Sequence, residues 1–444
     1  MDNRSLQGPE ESVIRYMTLV SLNAGSINLA QGFPDSSPPF ELRVGIALAT
    51  LGGTNEGIER LLKVPIAELV GSEVGISGLT IEELLRRVDP SLPKKDIFNQ
   101  YSIPAGTPEL RMAISKKARE FNGIDSDPDR NIVVTCGATE AIYSTLSAIV
   151  GPNGRNEVIV FQPFHEMYPN QLHLVGGVGK YVTINEPDWN SPNPQWQFDR
   201  EELKKMFSEK TVAIILNTPH NPTGLVFSED DLRFIADLCI KYNAFAVTDE
   251  IYEHLTYDGH HHISIASLDG MQDRTLTCNA ISKTYLATGL RLGWIIGPEE
   301  VIKRAKAVHD TIVIQAPTIV QKGYEMALNS KGLALEGDYY KKLADGYRQR
   351  RDVLLRGLQE VGFRCANPQG AYYLFADFSG IRPDLDPMRF AMLLTERAKV
   401  TPVPGDNFYE KGSALGTSYV RFAFARQIGT LEQAVRQLKS TDLR

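Results

Sequence analysis

The chain is poor in the features that would take it outside ordinary globular chemistry. Its 444 residues include only four cysteines, Cys136, Cys239, Cys278 and Cys365, widely spaced and set in apolar stretches. That excludes a disulfide framework and reads as reduced core thiols. Long hydrophobic runs are missing. Aliphatic stretches are no longer than ones like Val212–Leu216, far below the ~18 apolar residues of a membrane span. The first residues, Met1–Ser12, are polar and mixed in charge, without the apolar centre of a secretory leader, so a cytoplasmic location is expected. There is no surplus of positive charge: 47 Lys and Arg against 54 Asp and Glu give a net charge of −7. Such a field does not favour nucleic acid. Repeats, low-complexity tracts and Gly/Ser linkers are also lacking. Histidine is scarce, and the run His260-His261-His262 places three adjacent side chains on one loop, a poor geometry for a metal ion; a surface turn is expected and no metal is implied.

What remains is a 42% hydrophobic, 23% charged composition of a soluble protein of two to three domains' length. In the middle of the chain two periods alternate. β-rich runs (131–135, 157–161, 180–184, 212–217, 244–248 and 275–279) are bounded by Gly, Pro, Asn or Asp. Helical patterns lie between several of them, at 139–150 and at 229–242, where Leu232, Ile235, Ala236, Cys239 and Ile240 recur at helical spacing. Strands that are apolar throughout and separated by helices predict an α/β fold with a mostly parallel sheet covered on both faces, over residues 99–297. The C-terminal third reads as α+β: helices at 299–308, 336–361 and 430–439, strands at 371–377 and 419–423.

Open parallel sheets place ligands at the carboxyl ends of their strands, and several strand ends here carry polar residues. Cys136-Gly137-Ala138-Thr139-Glu140 is a glycine turn entering a helix, either a plain turn or a phosphate cup. Asn217 to Gly224 holds Asn221 in a loop with two prolines. Asp249-Glu250-Ile251-Tyr252 puts a carboxylate at a buried strand end, where it needs a cation or a strong donor. Ala280-Ile281-Ser282-Lys283, followed by Gly289, Arg291 and Gly293, brings a lysine to another strand end, as a solvated charge or an activated amine.

Taken in this order, the motifs INLAQGFPD (27–35), NQYSIPAGTPELR (99–111), TCGATEA (135–141), NTPHNPTG (217–224), TDEIY (248–252), SKTYLATGLRLGW (282–294) and SYVRFAFA (418–425) resemble the class I/II aminotransferases, fold type I enzymes dependent on pyridoxal 5′-phosphate, and most resemble their kynurenine/glutamine transaminase branch. The resemblance spans nearly the whole chain. It implies an α/β fold with a mostly parallel sheet in a large domain and a smaller α+β domain. The expected division is an N-terminal segment 1–50 belonging to the small domain, an insertion 51–91 near the active-site entrance, a large domain 92–310, and a linking helix and small domain 311–444.

It also implies roles. Lys283 is the Schiff-base lysine and proton shuttle, and Asp249 is the partner of the pyridine nitrogen that makes the ring an electron sink. Tyr252 and Asn221 bond the ring oxygen. Arg291, with the backbone at Ala138 and Thr139, holds the phosphate, and Tyr101 reaches the phosphate of a neighbouring subunit, which implies a homodimer with shared sites. Arg421 clamps the substrate α-carboxylate through a bidentate fork, and Asn221 also belongs to the substrate-binding set. Gly32 and Phe33 line the mouth. The substrates implied are an α-amino acid and a 2-oxo acid. An alternative uses the same cofactor for elimination, ring closure or oxidation.

Two departures from the family pattern stand out. The residue stacked on the cofactor ring is normally Tyr, Phe or Trp, and here the stretch 161–168 places His165 there, either as a tolerated flat ring or as a group that tunes the ring or moves a proton. Between Phe40 and Asn99 lie 58 residues (positions 41–98), a marked excess. It is either surface decoration or a cover for the active site. Tyr372, Tyr373, Phe408 and Tyr409 read as packing residues, though the family resemblance puts some of them near the substrate.

Overall fold

The computed structural model describes residues 12–51, 80, 83, 101–151, 154–329 and 338–443. An eight-stranded sheet forms its centre, in the order Ile132–Thr135, Gly293–Ile296, Thr275–Ala280, Phe245–Asp249, Thr211–Asn217, Glu157–Gln162, Val178–Asn185, Gln197–Phe198. Neighbours pair in parallel except around Gly293–Ile296, antiparallel to both its neighbours, and at the edge strand Gln197–Phe198. The strands Ile132–Thr135, Thr211–Asn217 and Thr275–Ala280 are buried at every residue. This is why they read as continuous apolar runs rather than as alternating ones.

The helices that cover the sheet start where their sequences provide caps. Ser228 accepts Asp231 N–H at 3.1 Å, and the helix Glu229–Lys241 follows with three acidic residues in its first turn. It buries Leu232, Ile235, Ala236, Leu238 and Cys239. Ile240, counted on the same stripe by spacing, is 44% exposed, because Leu238 takes the inward position. The helix expected at 299–308 runs on as Glu299–Val313, and a further helix, Thr318–Asn329, follows it. The helix Phe40–Leu51 crosses Thr318–Asn329 at two glycines; a Cβ on Gly45 would lie 2.9 Å from the Gly323 Cα.

A second, antiparallel sheet is formed by Tyr373–Asp377, Tyr419–Ala423 and Val403–Pro404. The N-terminal strand Ile27–Asn28 pairs with Val400–Thr401, so the two ends of the chain pack together. The long helix Tyr339–Val361 precedes this sheet. Of segment 51–91 only Leu51, Thr80 and Glu83 lie among the described residues. Thr80 N–H donates to Glu83 Oε2 at 2.8 Å and Glu83 N–H to Thr80 Oγ1 at 3.2 Å, a reciprocal cap at the start of the expected helical piece. The remainder of that expectation lies outside the described residues. Among them, no helix is long and apolar enough to cross a membrane.

Candidate active site

Three parallel strands end side by side in polar residues. Asp249 closes Phe245–Asp249, level with Asn217 on one side and Cys278 on the other. Asn217 ties the first two ends together: its Nδ2 donates to Asp249 O at 3.0 Å and its Oδ1 accepts Asn221 N–H at 2.8 Å. The Tyr168 hydroxyl donates to Asp249 Oδ2 at 2.7 Å, while Oδ1 is buried without a partner among the described residues. Burial pushes the Asp249 carboxyl up to about 6, and the Tyr168 hydrogen bond works against that rise. Neither Asn217 nor Tyr168 was singled out by sequence. Both stood inside quoted motifs, without a signal for which atoms they would meet.

Lys283 lies in the short helix Ile281–Thr284 that follows Thr275–Ala280. Its Nζ donates to Gly32 O at 3.0 Å, and the Tyr372 hydroxyl donates to the same carbonyl at 2.9 Å. Burial lowers the amine's pKa, with Tyr373 and Asp249 opposing, which favours the neutral, nucleophilic form.

Arg421, on the strand Tyr419–Ala423, is buried. It donates through Nη1 to Asn221 Oδ1 and through Nη2 to Ala30 O, both at 2.8 Å. Its guanidinium carbon lies 4.3 Å from the Tyr373 ring centre and 4.8 Å from that of Phe408. Arg421 Nε and Asn221 Nδ2 are buried donors without a partner among the described residues. The Tyr252 and Tyr373 hydroxyls are 3.0 Å apart. A Cβ on Gly32 would lie 2.0 Å from the Tyr373 hydroxyl, so only glycine fits there. Tyr372, Tyr373 and Phe408, for which the sequence left packing or a place near the substrate open, are thus packed around Arg421 and Gly32.

Arg426 is another residue that sequence missed. It donates to Asn28 O at 3.1 Å, Gln31 O at 3.2 Å, Ala425 O at 3.0 Å and to Phe33 O, and stacks 4.3 Å from the Phe33 ring centre. Gly32 and Phe33 are therefore held over the site by buried cations.

At the end of Ile132–Thr135, Gly137 takes φ 88° before the helix Ala138–Ile149. A Cβ there would lie 2.6 Å from Arg291 Nη2, and one on Gly293 would lie 2.9 Å from Ala138 N. The two glycines let the Arg291 guanidinium, exposed to solvent, sit beside the helix N-terminus, a cradle for an anion. Behind it Glu140 accepts Cys136 N–H at 2.8 Å, the Ser144 hydroxyl at 2.6 Å and His309 Nδ1 at 3.1 Å.

His165 Nδ1 accepts Met167 N–H at 3.2 Å. Burial, then the charges of Arg421 and Lys283, push the imidazole down to about 3. Tyr101 is 78% exposed. His260 and His261 are exposed as expected of a surface turn, but His262 turns inward, its Nε2 3.0 Å from Glu250 Oε2. Glu250, Glu253 and His262 bring ligand atoms within 4.8 Å of one another. The Lys117 ammonium, 2.6 Å from Glu253, already supplies a cation there.

Residues 80–438 match the family described as aminotransferase class I and II. The chain is 29% identical to kynurenine–oxoglutarate transaminase 3 of Homo sapiens, over 98% of this chain and 89% of that one. It is 30% identical to kynurenine–oxoglutarate transaminase 1 of Mus musculus, over 98% and 97%. Among solved structures, N-succinyldiaminopimelate aminotransferase from Mycobacterium tuberculosis superposes with a TM-score of 0.81 at 29% identity, over 97% of both chains. The lysine, aspartate and arginine of the site thus stand on a fold and a sequence shared with transaminases, and the chain belongs to the class I and II aminotransferase family.

Proposed function

We propose that the protein moves the amino group of an α-amino acid to a 2-oxo acid with pyridoxal 5′-phosphate as its cofactor. One observation carries this reading. Lys283, Asp249 and Arg421 share one site in which an acceptor, Asp249 Oδ1, and two donors, Asn221 Nδ2 and Arg421 Nε, are buried without protein partners. That set is complementary to a protonated ring nitrogen, a ring oxygen and a carboxylate. The bound cofactor supplies a ring that withdraws electrons from the substrate Cα.

The chain's residues do the rest. Lys283 would hold the cofactor, and its buried amine would serve to move the proton at the substrate Cα. Asp249 keeps the ring nitrogen protonated. Tyr252 and Asn221 would bond the ring oxygen, and His165 would lie against the ring face. Arg291 and the Ala138 and Thr139 backbone take the phosphate. Arg421 orients the substrate carboxylate, with Gly32 and Phe33 at the mouth. The relatives' names make kynurenine and 2-oxoglutarate the first pair to assay.

The proposed assembly is a homodimer in which Tyr101 reaches the other copy's phosphate. An exposed apolar patch supports it: Tyr101, Ile103, Ile312, Val313 and Ile314 are all exposed. Ser102 N–H donates to Gln315 Oε1, which joins the two segments. Ile314 sits at φ 66°, unusual for a β-branched residue, in a γ-turn closed by Gln315 N–H to Val313 O at 2.7 Å. We also propose the division into an N-terminal segment 1–50, an entrance insertion 51–91, a large domain 92–310 and a small domain 311–444, which the pairing of Ile27–Asn28 with Val400–Thr401 supports. A cytoplasmic location is part of the same reading.

The test is spectroscopic. Protein reconstituted with pyridoxal 5′-phosphate should show the absorbance of lysine-bound cofactor, and amino donors should convert it to the amine form. A 2-oxo acid should reverse the change. Lys283→Ala should remove both signals. Failure of every amino donor to convert the cofactor would refute transamination.

A further inference from the structure

Behind the anion cradle sits an acid and imidazole pair that the proposed reaction does not use. The helix Ala138–Ile149 begins at Gly137, and no side chain caps it. The first N–H groups of a helix have no acceptor within it, so those of Ala138 and Thr139 are open to an anion. Yet the third residue of this helix is Glu140, an acid in the turn whose N–H groups and dipole attract negative charge. Left unrestrained, its carboxylate would be the nearest anion to the cradle, since a glutamate at this position commonly reaches back to cap its own helix.

The carboxylate is held elsewhere. Oε2 accepts Cys136 N–H at 2.8 Å and meets His309 Nδ1 at 3.1 Å, while Oε1 accepts the Ser144 hydroxyl at 2.6 Å. The Cys136 amide lies outside the helix, one residue before Gly137. His309 comes from a different element, the helix Glu299–Val313, and is fully buried. An ionised carboxylate only accepts, so Nδ1 carries the hydrogen. Nε2 is buried and has no partner among the described residues. Burying an imidazole with one nitrogen unsatisfied is costly, and the hydrogen bond its ring makes in return is the one to Glu140.

Arg291 is a second reason for restraint. Its Nη2 lies 3.4 Å from Cys136 O, so a single residue carries Glu140 on its N–H and Arg291 on its carbonyl. Burial, then the Glu140 charge, push the Cys136 thiol up, and Arg291 opposes them. A released carboxylate would therefore compete for the guanidinium as well as for the helix N–H groups.

We propose that His309 is a positioning residue: with Ser144 it holds the Glu140 carboxylate against the Cys136 amide and off the cradle, which leaves the Ala138 and Thr139 N–H groups and Arg291 free for a phosphate. The proposal rests on the reading of the cradle as the cofactor's phosphate site. It gives His309 no contact with cofactor or substrate.

The experiment titrates cofactor-free protein with pyridoxal 5′-phosphate and with pyridoxal, which lacks the phosphate, and follows the absorbance of the lysine-bound form. The readout is the ratio of the two Kd values. A general loss of structure weakens both ligands, whereas an obstructed cradle weakens only the phosphate ester. The wild type should favour the ester. His309→Leu should shrink that preference by about 10-fold, the net worth of one hydrogen bond. His309→Asn, whose amide nitrogen can stand where Nδ1 does, should recover part of it. Adding Glu140→Gln to His309→Leu should restore the preference, because the competing charge is gone. Ser144→Ala, a mild change within a helix, should act in the same direction as His309→Leu and decides the matter if that variant does not fold. An unchanged ratio in His309→Leu, or in Ser144→Ala standing in for it, would overturn the role, as would a double variant no better than the single one. If the wild type bound pyridoxal as tightly as its phosphate ester, the cradle itself would be misread and this role would fall with it, while a lysine-bound signal with both ligands would leave the role of Lys283 standing.

Discussion

The Tyr168 hydroxyl lies 2.7 Å from one carboxylate oxygen of Asp249, and the other oxygen of that carboxylate has no partner among the described residues. One side of the group is thus committed to the protein and the other is left without a protein partner. The Asp249 carboxyl is raised by burial to about 6, against an ordinary value of 3.8. The folded protein therefore holds this proton more tightly than the unfolded chain does. The group's contribution to stability is fully present below 3.8 and is lost as pH rises through about 6. On the proposed transaminase reading, cofactor binding would have the opposite dependence, because a ring nitrogen facing Asp249 would need the ionised form. Affinity of the cofactor-free protein for pyridoxal 5′-phosphate should fall as pH drops below about 6. Tyr168→Phe removes a donor to the carboxylate, so the midpoint should move upward and affinity at pH 7 should fall by about 10-fold. A fluorescence titration across pH checks both, and an unmoved midpoint would contradict the role given to Tyr168.

Arg421 is bonded to the Asn221 amide oxygen and the Ala30 carbonyl through different nitrogens of one planar fork. Lysine cannot reproduce that geometry. Arg421→Lys should lower kcat/KM by about 100-fold, with KM carrying much of the change. Steady-state kinetics with a saturating oxo acid would show it.

Arg426 has four main-chain carbonyls as its partners, three of them on residues 28–33. Arg426→Met would keep the packing and strand these acceptors. Urea unfolding should show a loss of about 2–4 kcal/mol. KM should rise as Gly32 and Phe33 lose their hold, and an unaltered KM would separate stability from the mouth.

Gly32 lies against the Tyr373 hydroxyl so closely that an added methyl group overlaps it. Gly32→Ala should destabilise the fold by about 1–3 kcal/mol and disturb the Tyr252–Tyr373 contact. Thermal unfolding combined with the absorbance of bound cofactor would register both effects.

The apolar patch around Ile314 predicts that Ile314→Asp weakens self-association, because a charge would be buried against the partner. Sedimentation at several concentrations should show dimer in the wild type and a shift toward monomer in the variant. Cofactor affinity should follow the dimer if Tyr101 acts across the interface.

The sequence was readable where one residue type at a strand end leaves few options. Lys283, Asp249 and Asn221 stood out because charge and turn chemistry at buried strand ends call for partners, whereas Arg421 came only from the family resemblance carried by the ordered run of motifs. The parallel strands were legible because burial on both faces leaves an unbroken apolar run. The strand Gly293–Ile296 was not, since it is only four residues long and its first two lie inside the glycine-containing motif 282–294.

Sequence by itself therefore determined the chemistry available: the amine, the acid, the guanidinium and the glycines that let an anion approach. Only the tertiary structure decided which of those atoms are satisfied. Tyr168 and Asp249 are 81 positions apart in the chain, and Arg421 and Asn221 are 200 apart. No local pattern encodes such pairs, because hydrogen bonds depend on distances of a few ångströms that sheet register and domain packing set. The same holds for His165. Its identity was visible in the sequence, but the Met167 amide that its Nδ1 accepts and the charges of Arg421 and Lys283 that help lower its pKa reach it only through the fold.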